Sequence, residues 1–177
     1  EPYSLTTFSA ALDALDLPSR TLTLLVNEEN SFKVAAAQGL AENLTTAGLP
    51  VSVRALPWAE YTAALAAGNF DLYYGEVRLT ADWDLSALLG TGGALNYSRW
   101  ADPQTDQLLA AYAAATDRTA AMNALCAYLR EQAPIIPICF QSTTVLVQSG
   151  VVEGLEPTAG EPFYNFPDCT VHLREAS

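Results

Sequence analysis

The fold is decided by residues 22–77, whose sequence is LTLLVNEENSFKVAAAQGLAENLTTAGLPVSVRALPWAEYTAALAAGNFDLYYGEV. Three apolar segments lie within this stretch, at 22–26, 51–56 and 69–77. The first is a short, mostly apolar run, whereas apolar and other residues alternate along the second and third. A short apolar run is typical of a buried strand, and alternation is typical of a half-buried one.

Helices are predicted between these strands. Asn30 and Ser31 offer an N-cap for the first helix, whose apolar residues recur every fourth position until Gly48 ends it. Pro57 opens the second helix, and Gly68 ends it. Strands joined by single helices imply parallel pairing. We therefore predict an α/β domain with an open, mostly parallel twisted sheet and helices on both faces.

The second half of the chain predicts a long loop followed by two helices. Residues 78–101 form the loop, and a loop of this length in a compact domain is usually functional or locally irregular. Because it leaves the carboxyl end of a strand, we expect it on the ligand side of the sheet. Asp102 and Pro103 then begin one helix, Asp117 caps the next, and Pro134 ends it.

The remaining segments complete a single predicted domain over residues 1–177. Residues 135–140 and 143–147 predict two strands, with a hairpin around residues 141–142 as one way to join them. Residues 1–20 form a lead-in segment. The tail at 151–177 is rich in Gly, Pro and Glu and is predicted to be irregular.

Composition excludes several classes of partner. The chain has 177 residues with a formal net charge of −12, and 50% of them are hydrophobic. The negative charge excludes nucleic acid and an anionic membrane surface, and the apolar content excludes intrinsic disorder. No apolar run approaches the roughly 18 residues of a membrane-spanning helix. No glycine-rich phosphate or dinucleotide motif follows a strand, so no cofactor is predicted.

Cysteine and histidine give little support to metal or redox chemistry. Cys126, Cys139 and Cys169 match no zinc-site spacing, and His172 is the only histidine. We predict buried free thiols on a helix for Cys126 and on a strand for Cys139, with one disulfide as the alternative. No metal site is predicted, and a nucleophile triad would depend on His172 alone.

Charged and aromatic side chains gather just after the third predicted strand. Asp82 and Asp84 flank Trp83. Such a trio suits an ammonium-bearing ligand, because carboxylates pair with the ammonium and the ring offers a cation–π contact. Solvated loop charges are the alternative interpretation. Arg78 would serve a ligand carboxylate or pair with Glu76, and the second is favoured. The predicted ligand-binding residues are Glu76, Arg78, Asp82, Trp83 and Asp84.

Several short motifs occur in a fixed order along residues 22–147. They are AAAQGLAENLTTAGLP at 35–50, WAEY at 58–61, GNFDLY at 68–73, ADWD at 81–84 after Gly75, NY at 96–97, DP at 102–103, DQLL at 106–109 and APIIP at 133–137. Together they resemble the motifs of the extracellular solute-binding proteins of ABC importers for oligopeptides, dipeptides and nickel, known as family 5. The resemblance covers most of the chain.

The resemblance implies a type II periplasmic-binding-protein-like lobe within a longer two-lobed receptor that closes on its ligand. Residues 1–177 would be the C-terminal lobe of a bacterial protein that is periplasmic or a membrane-anchored lipoprotein. It would be no enzyme. Its partners would be a peptide or another small solute, ABC permease subunits and the other lobe. In peptide binders of the family, the aspartate of an A-D-Y motif pairs with the ligand's α-amino group, and that role falls on Asp82.

The ligand-side loop departs from the family pattern. Glu76 stands where the family has tryptophan after Gly75, and Leu85 replaces the proline of its D-P pair. The ligand class therefore stays open. The alternative function is an α/β hydrolase-like enzyme domain that uses Asp82 and Asp84 as a carboxylate pair. The sequence offers no credible nucleophile or base for such an enzyme, whereas a receptor needs none.

Overall fold

A computed structural model describes residues 4–15, 20–140, 144–158 and 160–172. The chain falls into two compact units, Glu1–Val77 and Arg78–Ser177. They are called the N-terminal unit and the C-terminal unit below, and each is described by itself.

The N-terminal unit has the predicted alternation of strands and helices. Its elements are α1 (Leu5–Asp13), β1 (Leu22–Asn27), α2 (Ser31–Thr46), β2 (Val51–Leu56), α3 (Trp58–Ala67) and β3 (Leu72–Tyr74). The strands form a parallel sheet in the order β2-β1-β3, which confirms the predicted βαβαβ arrangement. Helix α1 was not predicted within the lead-in segment. Its start is fixed by Ser4, whose hydroxyl accepts the backbone N–H of Thr7.

The central strand β1 is buried on both faces. Leu24 and Val26 pack with Ala37 of α2 on one face, while Leu25 points to the opposite face and is also fully buried. Helices α2 and α3 both contact β1 and β2. Double burial explains why β1 is a mostly apolar run instead of an alternating one.

Strand β3 is shorter than the predicted segment 69–77. Only Leu72–Tyr74 pairs with β1. Just before it, the carboxylate of Asp71 accepts the backbone N–H of Thr23 at 2.8 Å and pairs with Arg20 at 2.6 Å. A side chain therefore joins this part of the chain to β1, in addition to the backbone.

The C-terminal unit is mainly helical. Its elements are α4 (Ser86–Leu89), α5 (Pro103–Ala114), α6 (Arg118–Gln132), β4 (Val152–Glu153), a 3₁₀ helix (Phe166–Asp168) and β5 (Thr170–Val171). Asp102 accepts the N–H of Thr105 at 2.7 Å, and Asp117 accepts the N–H of Thr119 at 2.9 Å. Both predicted caps are thus confirmed. A cluster of Leu89, Leu109 and Leu125 joins α4, α5 and α6.

The two strands predicted at 135–140 and 143–147 are wrong for the described residues of those segments. Residues 135–140 and 144–147 belong to no strand. Pro134 and Pro137 lack the N–H that a strand ladder needs, and no described segment pairs with this one. The hairpin predicted around residues 141–142 lies outside the described residues.

The tail is more regular than predicted. Strands β4 and β5 pair antiparallel, with Val152 opposite Val171. Between them, the side chain of Asn165 accepts the N–H of Glu156 at 2.7 Å and donates to the carbonyl of Gly154 at 2.6 Å. One asparagine thus ties the connection back on itself and brings the two short strands together.

The three cysteines are free thiols, but two of them are exposed. Cys126 lies on α6 next to the fully buried Leu125, on the outward side of the helix. Cys139 is exposed in the extended segment after Pro134, and Cys169 is half-buried. The prediction that Cys126 and Cys139 are buried is therefore wrong, as is the strand predicted for Cys139.

Candidate functional site

The predicted site residues are divided between the two units. Glu76 follows β3 in the N-terminal unit, where it pairs with Lys33 at 2.6 Å. The favoured pairing of Glu76 with Arg78 is therefore wrong, because the lysine of α2 supplies the cation. Arg78 is exposed and forms no ion pair with the residues that the structure describes. Residues 82–84 lie together in the C-terminal unit.

A short turn fixes the backbone around residues 82–84. The carbonyl of Thr80 accepts the N–H of Trp83 at 3.0 Å, and its hydroxyl accepts the N–H of Asp84 at 3.2 Å. The carboxylate of Asp84 accepts the N–H of Ser86 at 2.8 Å, at the start of α4. Trp83 has a φ of 56°, a left-handed conformation that is uncommon for a bulky residue. The surrounding hydrogen bonds hold this conformation.

Two side chains from the helices support Asp82. Tyr112 of α5 is buried, and its hydroxyl donates to the backbone carbonyl of Asp82. Arg118, the first residue of α6, places Nη1 3.4 Å from Oδ2 of Asp82. Its guanidinium also lies 5.2 Å from the centre of the Tyr112 ring, which is a cation–π distance. Asp82 is therefore held through its backbone by α5, and its carboxylate lies beside the first residue of α6.

Both carboxylates ionise more readily than an isolated aspartate. The Thr80 hydroxyl, helped by Arg118, holds the pKa of Asp82 below its ordinary value. Hydrogen bonds from Ser86 lower the pKa of Asp84. Both groups are therefore charged at neutral pH and suited to pair with an ammonium. The general acid of a glycosidase needs a raised pKa. The lowered pKa values of Asp82 and Asp84 therefore disfavour the alternative function, a hydrolase-like domain that uses them as a carboxylate pair.

An aromatic pair borders the two carboxylates. The rings of Trp83 and Phe140 meet edge to face, with their centres 5.7 Å apart. Both side chains remain largely exposed. The turn thus presents two charged groups and an apolar surface side by side, the combination that a charged organic ligand uses.

The rest of the predicted ligand-side loop is packed structure. Asn96 is buried, and its amide donates to the carbonyls of Gly90 and Trp100 at 3.0 and 2.7 Å. A Cβ added at Gly93 would lie 2.5 Å from the carbonyl oxygen of Ala87, so this glycine permits a close backbone approach. The candidate ligand-binding residues of the loop at 78–101 therefore lie in the first part of that loop, before α4.

Metal chemistry receives no support from the described part of the chain. There, no group of three or more His, Cys, Asp and Glu side chains is placed to hold a metal ion. Within the same residues, none of the helices is both long and apolar enough to cross a membrane.

Sequence reasoning missed the residues that support the turn. Thr80, Tyr112, Arg118 and Phe140 all contact it. Of these, only Arg118 could have been suspected from the sequence. A positively charged residue in the first turn of a helix opposes the helix dipole, so its presence there indicates a role outside the helix. The contacts of Tyr112 and Phe140 arise from tertiary packing alone.

Comparisons with known proteins give matches among solved structures. No protein-family model and no curated protein matches the chain. The murein tripeptide binding protein MppA of Escherichia coli matches with a TM-score of 0.66 and 25% identity, over 73% of this chain and 27% of that one. The oligopeptide-binding protein AppA of Bacillus subtilis, in complex with a nonapeptide, matches with a TM-score of 0.66 and 15% identity, over 95% and 37%.

A third match extends the range of ligands. NikZ of Campylobacter jejuni, in complex with Ni(L-His), matches with a TM-score of 0.63 and 14% identity, over 75% of this chain and 31% of that one. All three proteins are family 5 solute-binding proteins. This chain is similar to these family 5 proteins in fold.

This similarity agrees with the fold described above. The chain has the α/β, periplasmic-binding-protein-like fold, and its matches cover 27% to 37% of these relatives' length. The structural relatives are peptide and nickel binding proteins of ABC importers, and none of those named above is an enzyme. A tripeptide, a nonapeptide and a nickel complex are named for these relatives, so the fold of family 5 does not by itself select a ligand.

Proposed function

We propose that this chain is the C-terminal, ligand-contacting lobe of a two-lobed receptor that captures peptides, or a related small solute, outside the bacterial membrane. The receptor would close on its ligand and deliver it to ABC permease subunits. The observation that carries the proposal is the fixed turn that presents Asp82, Trp83 and Asp84 to solvent.

Asp82 is the proposed partner of the ligand's ammonium. Its side chain is 52% exposed although its backbone is tied to Tyr112, so the carboxylate is accessible and positioned at the same time. Asp84 adds a second negative charge, and Trp83 adds an exposed ring for the ligand's apolar part. Water displaced by lobe closure would strengthen the charge pairing.

The two-lobed form is supported by apolar surface that the described residues leave uncovered. Ile136 and Phe140 are 73% and 76% exposed, and Leu146 is 89% exposed; all three lie after α6, in the described residues 135–140 and 144–147. Large apolar side chains left exposed to solvent are candidates for a surface that another polypeptide covers. The matched relatives are about two and a half times as long as this chain, because the match covers 73%, 75% and 95% of this chain but 27%, 31% and 37% of theirs. We therefore propose that the other lobe packs against this segment.

Substitution of Asp82 tests the ligand role. In the full-length protein, D82N should weaken the binding of trialanine by about tenfold or more, because the ammonium loses its charged partner. The binding of N-acetyl-trialanine should not change, since it carries no ammonium. Isothermal titration calorimetry measures both affinities.

Asp168 provides the matched control. It is an exposed aspartate of the same unit, in the 3₁₀ helix. D168N removes the same charge and should alter neither affinity. Equal losses for the free and the acetylated peptide in D82N would contradict the ammonium role. Binding of neither peptide by the wild type, together with no binding of a mixed peptide digest, would contradict the proposed function.

A further inference from the structure

Arg118 occupies a position that the helix itself disfavours. It is the first residue of α6, where the helix dipole places partial positive charge. The neighbouring Asp117 caps the helix without it. The guanidinium at this place therefore has no explanation in the stability of α6.

The guanidinium and the Asp82 carboxylate share one support. Arg118 stacks on the ring of Tyr112 at 5.2 Å, and the hydroxyl of the same tyrosine holds the backbone of Asp82. Tyr112 is only 6% exposed. Because a buried side chain anchors both groups, their separation is restricted, as a binding site requires.

The ion pair between Arg118 and Asp82 is long and exposed to solvent. It consists of a single long approach of 3.4 Å between side chains that are 40% and 52% exposed. An exposed ion pair of this kind contributes little stability. It also leaves most guanidinium N–H donors of Arg118 and part of the Asp82 carboxylate available to a ligand. A bound ammonium at Asp82 would lie close to the positive charge of Arg118.

We infer that Arg118 is a specificity-determining residue of this site and selects ligands that carry an ammonium and a carboxylate on the same carbon. The inference rests on the proposed function. Asp82 takes the ammonium, and the planar guanidinium takes the carboxylate through paired N–H groups. A peptide whose first α-carboxyl group is in the peptide bond still binds through its ammonium at Asp82 but is held less tightly because of the nearby charge of Arg118, whereas an α-amino acid head group neutralises both side chains.

Two isomeric dipeptides separate these cases. In γ-glutamyl-alanine the ammonium and a free carboxylate share one carbon. In α-glutamyl-alanine that carboxyl group forms the peptide bond, and the free carboxylate moves to the end of the side chain. The two molecules have the same composition and net charge, so a difference in binding reports the placement of the charges.

The experiment is calorimetry of both isomers on the full-length protein. The wild type should bind the γ-linked isomer about tenfold more tightly. R118Q should weaken that isomer by about tenfold and leave the α-linked isomer unchanged or bound more tightly, because the repulsion is gone. R118K keeps the charge without the planar donors, so its affinity for the γ-linked isomer should lie between those of the wild type and R118Q.

Arg130 is the matched control, as an exposed arginine in the last turn of the same helix. R130Q should leave both affinities unchanged. A wild type that prefers the α-linked isomer, or an R118Q variant that weakens both isomers equally, would overturn the inference. If neither isomer binds while other peptides do, the inference fails and the proposed function stands. If no peptide binds, both fail.

Discussion

Asp71 shows how one side chain couples the stability of the N-terminal unit to pH. Its carboxylate bonds to Arg20 and to the backbone of Thr23, and these bonds lower its pKa. A group whose folded pKa is lowered contributes stability above its unfolded pKa of about 4. That contribution is lost as the pH falls through the lower folded value.

We therefore expect acid to destabilise the wild type more steeply than D71N below about pH 4. The asparagine cannot titrate, so its bonds do not depend on pH in this range. Thermal unfolding of both proteins at a series of pH values measures the difference. Parallel curves for the two proteins would show that Asp71 has the same pKa in the folded and unfolded chains.

The site residues differ in how far sequence alone could find them. Asp82, Trp83 and Asp84 are consecutive, so their charge and aromatic character are visible in the sequence. Arg118 lies 36 residues from Asp82, and Tyr112 lies 30 residues from it. No local pattern links residues so far apart, because their contact depends on how α5 and α6 pack in the C-terminal unit.

Among the elements, helix α6 depends on one buried face. Leu125 is fully buried against Leu89 and Leu109, which belong to α4 and α5. L125A removes side-chain volume that its neighbours cannot fully replace. We expect it to lower the free energy of unfolding of the C-terminal unit by about 2–5 kcal/mol.

Chemical denaturation followed by circular dichroism measures this loss. L146A is the matched control, because Leu146 is 89% exposed and the same truncation there should change stability by less than about 0.5 kcal/mol. A similar cost at both positions would contradict the assignment of Leu125 to the core.

Elements set by local chemistry were predictable, and those set by a partner were not. The caps Asn30, Asp102 and Asp117 each bond to a backbone N–H within three residues, so short sequence motifs identify them. The apolar run of β1 likewise reflects burial on both faces. Residues 135–140 have the apolar content of a strand, but strand formation needs a second chain segment, and the described residues provide none.

At the scale of the whole molecule, three features belong together. The chain has the periplasmic-binding-protein-like fold, its matches cover 27% to 37% of the relatives' length, and it exposes several large apolar side chains after α6. We expect all three properties of an isolated lobe, because the other lobe of the receptor would cover the exposed apolar residues and form the opposite side of the ligand site. The proposed turn at Asp82 is then one half of the ligand site.

The most direct measurement is a crystal structure of the full-length protein with a bound peptide or amino acid. The account predicts the ligand's ammonium nitrogen within about 3 Å of the Asp82 carboxylate, with the other lobe completing the site. A ligand bound between the lobes but away from Asp82, with that carboxylate open to solvent, would contradict it.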